Sequence, residues 1–405
     1  MPADSIGGPA FCGFDLLCEI DKLGQSKIIS FDQSINKKFW EIKYYKKEIM
    51  FLSSSHYFCQ SKLIGYLFLI KKIISYLLYK KETIFILHGI FNMPYIISSI
   101  LLRIFNCKVF IIPHGTLNRE RIKISRNILV KKFSYLYLRL FHINSNFVFT
   151  NNYEYEKSII FKKKVKFNNN FFIPNILKID SLETYLTKLP LSISKKVFEN
   201  STQETWERNI NKSIDELDKN KLNLIYFGRI AKEKGIDIFL NSLNNIIERA
   251  KNIPKIHIHF IGDGNKKYLK EINTILKRNK SNLTFSLYGW LSRDKAFYLI
   301  KRLQGIMVFP SISDNFNLSF QESILLGKLA IVSDKVATSS DLWLSKRVFL
   351  IDLNDMDKSL EKSLKNIMHL KNKNLLFNDQ KLSFKHPYLP ENVKNKWNEL
   401  INIKQ

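Results

Sequence analysis

A glycine and an arginine close the first apolar run of the chain's second half, and a lysine and a second glycine follow shortly after: Gly228-Arg229, then Lys234-Gly235. A turn that leaves a strand on a glycine and enters a helix carrying two cations suits a pyrophosphate. The helix N terminus offers oriented N–H groups, and an arginine fork can bind two phosphate oxygens at once. Taken alone, the piece reads equally well as a solvated charged turn. A second glycine-rich turn, Ile261-Gly262-Asp263-Gly264-Asn265, ends the next strand and by itself marks only a turn.

The segment from Pro310 to Asp334 carries two carboxylates, Asp314 and Glu322, eight residues apart. A helix starting near Asn317 and ending at Gly327 leaves Asp314 in the preceding loop and puts Glu322 one turn inside. A carboxylate and a row of backbone N–H groups then lie at the carboxyl edge of a sheet, where acids accept hydrogen bonds from sugar hydroxyls. The plainer use of such an acid is to complement the helix dipole.

These turns need strands to carry them, and the pattern supplies them. Short apolar runs at 27–31, 84–88, 108–114 and 147–150 alternate with helical stretches at 94–105 and 127–141. A second series of runs begins at 222–228 and continues at 255–262, 283–289, 305–311 and 329–334. Such alternation indicates an α/β architecture with parallel sheets. The expected organisation is two Rossmann-like domains facing one another across a cleft: 1–178, then a polar linker or insertion at 179–220, then 221–385, with a closing helix in 386–405 that carries Trp397. Gly7-Gly8 comes almost at once, so the first strand of the first domain is expected to be missing.

In this order and context the residues resemble the retaining glycosyltransferases of family 4, which have the GT-B fold. That family's pattern is a G-R-x-x-x-x-K-G turn, a strand ending in G-x-G, and a P-S-x-x-E-x7-E segment whose helix ends in A-x-G. The chain supplies Gly228, Arg229, Lys234 and Gly235, then Gly262 and Gly264, then Pro310, Ser311, Glu322 and Gly327. More loosely, Gly7-Gly8-Pro9, the P-H-G-T-L run at 113–117, the segment 150–159 and Ile173-Pro174-Asn175 are similar to the family's first-domain motifs. The chain departs from the pattern at Asp314, one methylene shorter than the usual glutamate, and at Asn315 and Asn317, which replace the glycines flanking Phe316. Asparagine tolerates positive φ better than most residues, so the loop can still form.

The resemblance implies roles. Arg229 and Lys234 would neutralise the donor pyrophosphate as it leaves, and Glu322 would bind the ribose hydroxyls. Asp314, with the backbone of Asn315, Phe316, Asn317 and Leu318, would hold the transferred sugar, and Gly8, Gly228 and Gly262 would line the donor site. His114 would sit near the anomeric carbon or a sugar hydroxyl, with a structural histidine as the alternative. The implied reaction moves a sugar from a nucleotide-sugar donor to a glycan or lipid-linked acceptor in cell-surface polysaccharide biosynthesis, with retention of configuration. It uses no metal, no other cofactor and no protein nucleophile. A catalytically silent accessory protein of the same fold, binding glycan or a membrane surface, is the alternative.

Composition bounds these readings. The 405 residues are 45% apolar and 13% aromatic, which excludes a disordered chain. Cys12, Cys18, Cys59 and Cys107 form no close pair, so neither a zinc site nor a disulfide framework is expected, and a reducing cytoplasmic compartment is the simplest reading. The formal charge is +28, and residues 62–178 hold twenty Lys/Arg against four Asp/Glu. Lysines interrupting apolar residues at 63–80 suit an anionic membrane surface, while a lysine-rich codon bias explains the same counts. The uncharged stretch 84–102 is broken by His88-Gly89, Asn92 and Pro94, so it reads as a strand and a helix rather than a span. No nucleic-acid-binding module accompanies the charge, and nucleic acid is not an expected partner.

Overall fold

In the computed structural model the described residues are 16, 28–30, 49–51, 62–77, 83–91, 93–119, 122, 128–142, 145–163, 169–177, 221–250, 253–279, 281–291, 293–339, 347–372 and 388–402. The chain divides into two units, one of residues 1–177 with 387–405 and the other of residues 178–386.

In the first unit, β1 (Ile28–Ser30) and β2 (Ile49–Phe51) pair in parallel as a ladder of their own. β3 (Phe85–Leu87), β4 (Val109–Ile111), β5 (Asn146–Phe149) and β6 (Asn169–Phe172) make a parallel sheet in that order. Its helices are α1 (Lys62–Leu77), α2 (Met93–Ile104), α3 (Ile128–Phe141), α4 (Asn152–Lys157) and α5 (Ile159–Lys163). The central strands β4 and β5 are buried throughout, as a parallel sheet covered on both faces requires.

Among the described residues the second unit holds six strands: β7 (Leu222–Phe227), β8 (Ile256–Ile261), β9 (Leu283–Gly289), β10 (Ile306–Phe309), β11 (Ala330–Ser333) and β12 (Val348–Ile351). Every ladder is parallel and the order is β12-β11-β10-β7-β8-β9. Between them run α6 (Ile236–Arg249), α7 (Lys266–Leu276), α8 (Arg293–Arg302) and α9 (Leu318–Leu325), with α10 (Met356–Asn372) after β12. The order reverses at β7, which has β8 on one side and β10 on the other. In open parallel sheets, ligands bind outside the carboxyl ends of the strands at such a reversal. The turns after β7 and β10 are therefore the expected place for chemistry.

The final helix α11 (Pro390–Asn402) belongs to the first unit. Val393, Trp397 and Leu400 pack with Phe110, Ile112, Val148 and Ile173, and Trp397 meets the Phe110 ring edge-on. The expected cleft-side glycines Gly7 and Gly8, the missing first strand, the 179–220 linker, and Cys12, Cys18 and Cys59 fall outside the described residues. Three strands lie beyond the apolar runs read from the sequence: β2, the edge strand β6 and β12.

Candidate functional site

The turn after β7 is fixed by backbone contacts to its neighbours. Gly228 N donates to Ile261 O at 3.0 Å, Ile230 N to Asp263 O at 2.8 Å, and Gly262 N to Gly289 O at 2.8 Å. The carboxyl ends of β7, β8 and β9 are thus stitched in sequence. A Cβ on Gly262 would lie 1.9 Å from Gly228 O, which explains a glycine at that position better than any turn preference does. Tyr226 Oη donates to Arg229 O at 2.6 Å, steadying the turn from below.

The chain then makes one 3₁₀ turn (Lys232–Lys234) and enters α6 through Gly235, whose φ is +63°. A Cβ there would come 2.2 Å from Pro310 O. Ile312 N donates to Glu233 O at 3.0 Å, so the turns after β7 and β10 touch backbone to backbone. That closeness brings Lys234 Nζ within 2.5 Å of Asp314 Oδ2, with side chains 21% and 11% exposed. The two residues are 80 positions apart in sequence, and the fold joins them as one ion pair.

The other cations of the turn are placed differently. Arg229 pairs with Glu233 one helical turn on and is 67% exposed. Lys232 bridges Asp237 at 3.0 Å and Glu271 at 2.6 Å and lies over the Tyr268 ring, so it serves the fold. Of the turn's cations, Lys234 is the half-buried one, not a solvated surface charge.

The loop from Asp314 to α9 forms around its asparagine. Asn317 has φ +46°, and its side chain caps α9 by accepting from Phe320 N at 3.1 Å. Asp314 Oδ1 accepts from Asn317 N at 3.0 Å, and Thr338 Oγ1 donates to Phe316 O at 3.0 Å. The expected row of open amides is therefore reduced: those of Asn317 and Phe320 are used within the loop. Asn315 is half-buried and Phe316 is buried beside it. Leu318 opens α9.

Glu322 lies one turn into α9, as expected, but buried and ion-paired with Arg293 at the start of α8. Sequence reasoning missed Arg293. The only signal was an arginine at a helix N terminus, where the dipole disfavours a cation.

In the first unit the P-H-G-T-L run and the 150–159 segment prove to be one assembly. Gly115 N donates to Glu154 Oε1 at 2.5 Å, while Thr150 N and Thr150 Oγ1 donate to Glu154 Oε2 at 2.8 and 2.7 Å. Ile159 N reaches Leu117 O at 3.0 Å. His114 has φ +49°, and its Nε2 lies 3.1 Å from His88 Nδ1. Removal from water lowers His88 to about 4 and His114 to about 3, with His88 adding a smaller push on His114. Both rings are neutral at neutral pH, so His114 can hydrogen-bond but not bring a charge. Among the described residues no group of three His, Cys, Asp or Glu could hold a metal ion.

Residues 207–380 match the family model described as glycosyl transferases group 1, a segment that contains Arg229, Lys234, Asp314 and Glu322. The chain is similar to HepE of Anabaena, solved with UDP and glucose, at TM-score 0.67 and 14% identity, covering 98% of this chain and 96% of that one. It is similar to WaaG, a glycosyltransferase involved in lipopolysaccharide biosynthesis, at TM-score 0.58 and 12% identity, covering 98% and 97%. These likenesses establish the fold as GT-B, an α/β architecture of parallel sheets. A 41.2 kDa protein of the cps region of Klebsiella pneumoniae is 25% identical over 161 residues, 39% of this chain. That match spans 40% of the relative's length.

Proposed function

We propose that the chain is a retaining glycosyltransferase of family 4 that moves a sugar from a nucleotide-sugar donor to a glycan or lipid-linked saccharide acceptor, in cell-surface polysaccharide or lipopolysaccharide biosynthesis. The observation that carries this reading is the Lys234–Asp314 pair, held where the turns after β7 and β10 meet at the reversal of a parallel sheet. A cation fixed there lies where a leaving pyrophosphate gathers charge, and such stabilisation is usually the largest catalytic term. Arg229, more exposed, adds a second positive group on the same turn. Asp314, beside Lys234, accepts from the transferred sugar. Glu322 accepts from the ribose, and no protein nucleophile or metal is required. HepE was solved with UDP-glucose, which makes UDP the first donor class to try.

Thermal unfolding with UDP, GDP, ADP, CMP and dTDP tests this reading. A nucleotide at about 100 times its dissociation constant should add roughly 2.7 kcal/mol to the unit that binds it. The shift should vanish in Lys234→Ala. No shift with any nucleotide would instead mark a silent accessory protein of the same fold.

The reading extends to the inner face of the cytoplasmic membrane. α1, α2 and α3, packed in succession, contain no Asp or Glu and carry seven Lys or Arg. They also expose Leu67, Ile74, Ile104, Phe133, Leu136 and Leu140. Apolar side chains on helices whose own charges are all positive suit an anionic bilayer surface, and no described helix is long and apolar enough to cross one. Vesicles of phosphatidylcholine with phosphatidylglycerol should retain the protein at low salt and release it as salt rises, whereas phosphatidylcholine alone should not. Equal retention on both, or on neither, would remove the membrane from the proposal.

A further inference from the structure

We infer that Arg293 is a positioning residue that keeps Glu322 ionised and aimed at the ribose of the donor nucleotide; this rests on the donor-site reading above. The side chains of the Arg293–Glu322 pair are 10% and 4% exposed. Arg293 opens α8, where the helix dipole works against a cation, and burial works against it too. A charge kept in spite of both needs a specific partner, and the partner is the acid of α9. The guanidinium is steadied from its own helix, lying 5.3 Å from the centre of the Phe297 ring.

Glu322, for its part, is a carboxylate buried deeply enough that, without a cation beside it, it would take up a proton or turn toward water. A protonated acid is a poorer acceptor for sugar hydroxyls. A paired one stays ionised and so remains an acceptor. Placement agrees with this role. α8 follows β9, whose last residue Gly289 accepts from Gly262 N at the same carboxyl edge that carries Gly228 and Pro310.

The test is calorimetric titration of the full chain with UDP, GDP and ADP, each beside its 2′-deoxy counterpart. Wild type should prefer the ribonucleotide it binds by about tenfold, the size of one lost hydrogen bond to a charged group. Glu322→Ala and Arg293→Ala should both bring that ratio close to one. Arg293→Lys, which keeps the charge but not the planar fork, should restore it in part. A merely structural pair gives another pattern: Arg293→Ala lowers Tm and leaves the ratio at its wild-type value, and that result overturns the inference alone. If Arg293→Ala does not fold, Arg293→Lys decides, a reduced ratio supporting the role and an unchanged one overturning it. Absence of any nucleoside diphosphate binding in wild type removes the donor-site reading and this inference together.

Discussion

Lys234→Ala is expected to lower kcat for sugar transfer by about 10²–10³-fold, the usual effect of losing one group aimed at developing charge. The same change leaves Asp314 without its cation at 11% exposure, so some loss of stability accompanies it. Chemistry and packing can be separated by adding Asp314→Ala. The double variant, with neither charge left in the pocket, should recover much of the Tm lost in Lys234→Ala and none of the turnover. Arg229→Ala should do less on both counts, because that side chain is largely solvated and its ion pair with Glu233 is exposed. Wild-type kcat in Lys234→Ala would remove the lysine from the reaction.

The second unit's candidate turns were legible because their parts are local. Gly228-Arg229 and Pro310-Ser311 each end an apolar run, and a turn's chemistry can be read from the few residues that make it. Asn317 was legible as a stand-in for glycine, and its φ of +46° follows from that substitution. Long-range pairing was not legible. Nothing near Arg293 in the sequence announces Glu322, and nothing in the P-H-G-T-L run announces a carboxylate 39 residues later. β8 was legible as a run, and all six of its residues are buried, but the partners of its two histidines lie on another strand. Both ring nitrogens of His257 meet hydroxyls of β9, Thr284 and Ser286, whereas His259 meets Tyr288 through Nδ1 alone, its Nε2 being buried with no hydrogen-bond partner among the described residues. Strands such as β6, two asparagines and two phenylalanines at a sheet edge, carry too little pattern to be found without their neighbours.

Glu154 carries the other large effect, and it falls on the first unit. Its carboxylate is buried and accepts from Gly115 N, Thr150 N and Thr150 Oγ1, joining the turn after β4 to the turn after β5. Glu154→Ala leaves two backbone N–H groups without their acceptor, a loss of about 3–5 kcal/mol when the hydrogen bonds to a charged group are counted with the stranded donors. Glu154→Gln keeps the shape but sets an amide N–H₂ against an N–H on one side or the other, so it should fall between wild type and Glu154→Ala. Urea unfolding followed by Trp397 fluorescence, with Trp40, Trp206, Trp290 and Trp343 replaced by phenylalanine throughout, would report this unit, since Trp397 sits in its core against Phe110. The midpoint should drop in both variants while the nucleotide-induced stabilisation of residues 178–386 persists. An unchanged midpoint would mean that the carboxylate is not the anchor of the turn. Because Gly115 directly follows His114, loosening it also frees the φ of +49° that points the imidazole toward His88. Loss of transfer with nucleotide binding kept would then assign the His114 turn to the sugar or the acceptor rather than to the nucleotide.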